Sequence, residues 1–182
     1  MSPSTDDRTI ARNEFRWAIA AGAMAAVVFS AILFATVALH RAPPGHVETI
    51  DPTTLHLSGE FAESNLGTTV GPDGQVTVRV VAAQFAFVPQ CLAVPQSQSV
   101  VLRFATPDVI HGIIVTGTNV NTMVVPGYVS EVRTVFANAG DYLMPCHEFC
   151  GLGHSDMLAR IRVLPKSQFQ PNTQGKVGCG LR

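Results

Sequence analysis

Trp17 to Leu39 reads WAIAAGAMAAVVFSAILFATVAL, twenty-three residues without a charge. This run constrains the chain more than any other. A bilayer core about 30 Å thick needs roughly 20 apolar residues in helical form, so the run is long enough to span with some tilt. No helical period shows a polar face, which argues against a helix buried in a soluble protein. A cleaved signal peptide is the alternative. Its apolar region normally runs about 7–15 residues before a small-residue cleavage site, and Thr36-Val37-Ala38 matches such a site only weakly. The expectation is a single permanent transmembrane helix over residues 17–39.

Arg8, Arg12 and Arg16 precede the run, whereas only Arg41 follows it closely. The positive-inside rule then places residues 1–16 in the cytoplasm. Everything after His40 lies on the opposite side, which in a bacterium is the periplasm, with the chain in the inner membrane. The chain carries four cysteines, and such a compartment tolerates both disulfides and copper thiolates. Charged residues make up 14% and the formal net charge is -1, so no nucleic-acid partner is expected.

Residues 40–74 read as a linker. Ala42-Pro43-Pro44-Gly45 stops any helix leaving the membrane, and no period there supports a regular element. Leu55 to Phe61 could pack against the following domain. From Gln75 the pattern changes. Val76–Val81, Ser99–Phe104, Val129–Phe136, Asp141–Met144 and Met157–Leu164 alternate as strands do. Pro95-Gln96, Pro126-Gly127 and Asn138-Ala139-Gly140 mark turns between them. Many short strands at this spacing predict an antiparallel sandwich or barrel over residues 75–165. Residues 166–182 are polar and Gly-rich and read as a flexible tail.

The chemistry is concentrated in Cys146-His147-Glu148-Phe149-Cys150-Gly151-Leu152-Gly153-His154-Ser155-Asp156-Met157, with His111 upstream in Pro107-Asp108-Val109-Ile110-His111-Gly112. Thiolate and thioether are soft donors suited to copper, zinc or iron–sulfur, and imidazole suits copper and zinc. Cys146 and Cys150 flank one loop, so both sulfurs can reach a common point and bridge two coppers. His154 and His111 would each supply one imidazole. Met157 is placed for a long axial contact, and the Glu148 backbone carbonyl is the natural weak donor for the other metal. Three readings compete: a Cys146–Cys150 disulfide, a closed zinc site of Cys146, Cys150, His154 and His111, and a mononuclear blue-copper site. The first two leave Met157 unexplained, and the third has no use for Cys146.

C-x-E-x-C-x-x-x-H-x-x-M with an upstream D-V-x-H-G resembles the CuA domain of cytochrome c oxidase subunit II. The resemblance covers about Val76 to Leu164. It implies a cupredoxin-like Greek-key β-sandwich behind a membrane anchor, holding a dinuclear copper centre (CuA). Its ligand positions map onto Cys146, Cys150, His111, His154, Met157 and, through its carbonyl, Glu148. It also implies a haem-containing subunit I as partner, cytochrome c or a small copper protein as electron donor, and membrane lipid around the helix. The chain would pass single electrons onward for oxygen reduction and do no bond chemistry itself.

Phe85-Ala86-Phe87, Gly117-Thr118-Asn119-Val120-Asn121 and Cys150-Gly151-Leu152-Gly153-His154, with the single span, resemble the short form of B-type haem–copper oxidases. The same short form resembles subunits paired with some copper-containing nitric oxide reductases, which stays open as an alternative. A free-standing anchored copper carrier is another.

The tryptophan patch of mitochondrial-type subunits is absent, since Trp17 is the only tryptophan. Phe85 and Phe87 are the remaining candidates for an apolar donor surface. After His40 there are nine Lys/Arg and ten Asp/Glu, so apolar docking is expected over charge steering. In longer relatives the glutamate side chain also binds magnesium, a role Glu148 could take but that is not expected in this short form. His147 reads as solvent-facing. Asp108 is either a partner of a ligand histidine or a turn residue. Arg160 and Arg162 read as a solvated strand face or a face toward subunit I. His40, His46 and His56 have no ligand spacing. Cys91 and Cys179 are left over and could pair.

Overall fold

The computed structural model describes residues 5–38, 48–57 and 59–179. Leu39, His40, the Arg41–Gly45 breaker and His46 lie outside the described residues. The chain divides into two compact units, split between residues 46 and 47.

The described part of the first unit is built on one helix, α1 (Thr5–Val37), of 33 residues. At 1.5 Å per residue it is about 50 Å long, well beyond a hydrocarbon core. It begins twelve residues before the uncharged run. The added turns carry Arg8, Arg12 and Arg16 with good helix formers between them, and acidic residues near the start suit the helix dipole. None of its most apolar window is buried within the protein. An apolar helix with no protein cover is what a lipid-facing anchor looks like.

The second unit is a β-sandwich. Its large sheet runs β11 (Lys176–Val177), β1 (Gly67–Val70), β2 (Val76–Ala83), β5 (Ser99–Ala105), β8 (Ser130–Val135), with β3 (Ala86–Val88) also paired to β2. The facing sheet runs β4 (Cys91–Pro95), β10 (Leu158–Leu164), β9 (Gly140–Pro145), and β6 (His111–Ile114) with β7 (Asn121–Val124) forms a separate antiparallel pair. β2 and β5 are parallel, as are β4 and β10; the remaining pairs are antiparallel. Mixed pairing of non-consecutive strands across two layers is the Greek-key arrangement of a cupredoxin-like sandwich.

Strict alternation along β2 and β10 drives the packing. Val76, Val78, Val80 and Ala82 are buried along β2, and Ala159, Ile161 and Val163 join them in the core from β10. Phe87, Phe104 and Phe136 fill the space between the layers. Each such side chain contributes roughly 1.5–3 kcal/mol on burial.

Two expectations need correction. The stretch read as a linker is partly domain: Leu55 and Phe61 are buried against Ala105, Val81 and Val129 on the outer face of the large sheet, and β1 continues that sheet. An ion-pair cluster fastens this cover. Glu60 bridges Arg79 and Arg103, and Arg103 also reaches Glu48 and Glu131. The packing of Leu55 and Phe61 is as expected; what the sequence did not show is that β1 extends the sheet, since a four-residue strand carries little period. The tail read as flexible is also held. β11 pairs with β1, Lys176 Nζ donates to the Ser64 carbonyl, and Cys179 is disulfide-bonded to Cys91 with Cα atoms 5.7 Å apart. A two-residue strand carries no sequence period, so its partner alone defines it.

Candidate metal centre

The ligand candidates meet at one end of the sandwich. His111 opens β6, Pro145 closes β9, and residues 146–157 form the loop from β9 to β10. β6 is laid against that loop by an Ile113–Cys146 bridge and by the His147 N–H donating to the Gly112 carbonyl at 2.9 Å. The approach is so close that a Cβ on Gly112 would stand 2.8 Å from the Glu148 nitrogen. Only glycine after the histidine allows the two segments to touch.

The two sulfurs of Cys146 and Cys150 stand 3.8 Å apart, and both cysteines are buried and free. A disulfide needs about 2.05 Å, so the disulfide reading of this pair does not describe the structure. Metal–thiolate bonds are about 2.3 Å, so one ion can touch both sulfurs. Each sulfur has its own imidazole: His111 Nδ1 lies 3.8 Å from Cys146 Sγ, and His154 Nδ1 lies 3.7 Å from Cys150 Sγ. Met157 Sδ is 3.7 Å from Cys150 Sγ, and the Glu148 carbonyl accepts from the Cys146 thiol at 3.3 Å. His111, Cys146 and Cys150 present donor atoms all within 4.8 Å of one another. All six residues singled out in the sequence are therefore brought together, with soft donors facing each other around a common point. That is a donor set suited to copper.

Burial and the neighbouring Cys146 sulfur push the Cys150 thiol up to about 11. Without metal, Cys150 is accordingly held as the neutral thiol, and a bound cation would favour its thiolate. His111 is fully buried, and its Nε2 lies 2.9 Å from Asp108 Oδ1. Burial works against a charge on Asp108, but hydrogen bonds from His111, the Gln84 and Val109 backbone N–H groups and Thr106 outweigh it, holding its carboxyl below the usual carboxylate range. Asp108 is thus the partner of the histidine, not merely a turn residue.

The outer side of the loop is apolar. Phe149 is 73% exposed and Leu152 99% exposed, and Phe149 meets the His154 ring edge-on at 5.8 Å. Beside them lies a shallow depression lined by Val109, Ile110 and Met123. Phe87 is core, whereas Phe85 is partly exposed and covers Gly151 and Gly153. The exposed apolar residues at the site are thus mainly Phe149 and Leu152, which the motif hides by placing them between ligands. His147 is exposed, as expected. Arg160 and Arg162 both pair with Asp141 on the outer face of β10 and β9. Gln84 and Thr106 were not visible as site residues, whereas Gly112 stood in the motif as the glycine directly after the histidine.

A profile of the cytochrome c oxidase subunit II periplasmic domain matches residues 75–164. One cytochrome c oxidase subunit 2 of Thermus thermophilus is 41% identical over 139 residues, covering 75% of this chain and 83% of that protein. A second Thermus thermophilus subunit 2 is 41% identical over 131 residues, covering 70% and 97%. Among solved structures, a chain of a heme-copper terminal oxidase dimer is similar, with a TM-score of 0.55 and 26% identity, covering 84% of this chain and 99% of that one. Sequence, sandwich and the cysteine–histidine group agree, and this chain belongs to the cytochrome c oxidase subunit II family.

Proposed function

We propose that this chain is the electron-input subunit of a respiratory haem–copper oxidase, in which Cys146 and Cys150 would hold a dinuclear copper centre. His111 and His154 would each supply an imidazole, and Met157 and the Glu148 carbonyl the weaker donors. Such a copper pair would supply a one-electron relay in which the added charge is spread over both metals, so that little rearrangement accompanies transfer. The observation that carries this reading is the pair of unlinked sulfurs at 3.8 Å, each with an imidazole nitrogen beside it.

The protein's own residues prepare the site. Asp108 accepts the N–H of His111 Nε2 and so leaves the Nδ1 lone pair directed at Cys146. Burial of both cysteines, His111 and Met157 excludes water from the donors. Phe149 and Leu152 offer the soluble donor, cytochrome c or a small copper protein, an apolar contact beside the half-buried His154. A nearly neutral domain gives that encounter a shallow salt dependence. Electrons leave for the haem of subunit I, where oxygen is reduced. α1 anchors the chain, with Arg8, Arg12 and Arg16 on the cytoplasmic side and the sandwich on the opposite side of the inner membrane.

Electron paramagnetic resonance and metal counting on the copper-loaded full chain test this. Two coppers per chain with a hyperfine pattern from two equivalent nuclei is the expected result; a mononuclear pattern or a single metal ion rejects it. Met157→Leu is expected to keep both metals but shift the midpoint potential and slow transfer.

A further inference from the structure

The turn from β2 to β3 bears no metal-ligand candidate, yet it touches both ligand-bearing segments. The Gln84 backbone N–H donates to Asp108 Oδ2 at 2.7 Å, and the other oxygen of that carboxylate holds His111. The Gln84 side-chain amide Nε2 donates to the Cys150 carbonyl at 2.6 Å. Among the described residues, that carbonyl has no backbone donor. Phe85, next in the chain, packs against the same loop. A Cβ on Gly151 would come within 2.8 Å of its ring and one on Gly153 within 2.5 Å.

The path from Cys150 to His154 is thus pinned by an amide at its first carbonyl and a ring across its two glycines. Gly151 sits at φ +132, a conformation most side chains avoid, so the loop has little intrinsic preference for this path. The Cys150 carbonyl and sulfur belong to one residue. A displacement of the Cys150 backbone therefore moves Sγ relative to Cys146 and shifts the start of the segment that carries His154.

We propose that Gln84 is a positioning residue of the metal centre. Its side-chain amide fixes the Cys150 carbonyl, and so sets where the Cys150 sulfur and the His154 ring stand relative to the Cys146–His111 pair. The inference rests on the metal-site reading above and assigns Gln84 no direct contact with metal.

The test uses the full chain with Gln84→Met, which keeps the length but cannot donate, and Gln84→Glu, which turns an acceptor toward the carbonyl. Removal of an outer partner of a metal ligand typically lowers metal affinity roughly 10- to 100-fold. Competition of copper(I) against a chelator is expected to show a loss of about that size, larger for Gln84→Glu. The optical and resonance spectra and the midpoint potential should be displaced in both. Because Gln84 is exposed, the metal-free Gln84→Met protein should melt with its parent. Unchanged affinity, spectrum and potential in both variants overturns the proposal. So does a loss of affinity matched by a loss of metal-free stability with an unmoved spectrum. The parent's copper count decides separately whether the centre is dinuclear; with a single ion, the parent-to-variant ratio still decides the role of Gln84.

Discussion

One β unit contains two pairs of cysteines, and they end in opposite states. Cys91 and Cys179 are 88 positions apart and are joined. Cys146 and Cys150 are four apart, with sulfurs 3.8 Å from each other, and are not. The surroundings account for the contrast. Cys91 opens an outer strand, and the tail that carries Cys179 is laid beside it; each sulfur's partner is the other. Cys146 and Cys150 each sit among further donors: an imidazole nitrogen apiece, a carbonyl for one and a thioether for the other. Closing their gap to a disulfide length would draw both sulfurs away from those donors. Spacing in sequence marked a candidate metal loop, whereas the Cys91–Cys179 link became visible only in the fold.

Removing sulfur from either pair should therefore have unlike consequences. Cys150→Ser is expected to have the largest effect, abolishing the shared-valence resonance and leaving one copper or none. Metal analysis and resonance of the purified chain check this, and a variant that still holds two equivalent coppers would break the contrast. Cys91→Ser with Cys179→Ser should instead keep the copper spectrum and cost stability, roughly 2–5 kcal/mol for loss of a native cross-link. Denaturant unfolding measures it, and thiol titration of the unfolded, unreduced parent should find two free thiols per chain. If the double variant loses copper as well, the two pairs are not independent.

The smallest expected effect sharpens the comparison from a third cluster. Glu48, Glu60 and Glu131 are matched there by Arg79, Arg103 and Arg133, so the charges balance and the cluster asks for no added ion. Burial opposes charge on Glu60, but Arg103 and then Arg79 outweigh it and hold its carboxyl below the ordinary 4.5. A carboxylate with a lowered folded value contributes stability above its unfolded value, and that contribution is lost as pH falls below about 4.5 toward the folded one. Glu60→Gln should cost about 1–2 kcal/mol at neutral pH, since Arg103 keeps Glu48 and Glu131. It should also flatten the acid limb of a stability-against-pH curve, with the copper spectrum unaltered. An equal loss at pH 3 and pH 7 would show that the cluster acts by packing alone.

Much of the strand framework was legible because β2, β5, β8, β9 and β10 carry alternating or apolar runs bounded by turn residues, a local signal. β1, β3, β6, β7 and β11 were not, being four residues or fewer and defined by the strand each pairs with. The six candidate ligands were legible because soft donors at fixed spacing are rare. Gln84 was not, since a glutamine in a short turn between two strands looks like any surface residue. Phe149 and Leu152 were hidden in the opposite way, inside a motif read only for its donors.

Residue order alone determined that the chain has an apolar helix of membrane-spanning length and which side chains could hold a soft metal. Both follow from chemistry carried by neighbouring residues. The tertiary structure decided which cysteines are bonded, that Asp108 and Gln84 grip the two candidate ligand segments, and that residues 48–57, 59–70 and 176–179 belong to the sandwich. Those outcomes depend on atoms far apart in the chain arriving within a few ångströms, a distance that no spacing along the backbone encodes.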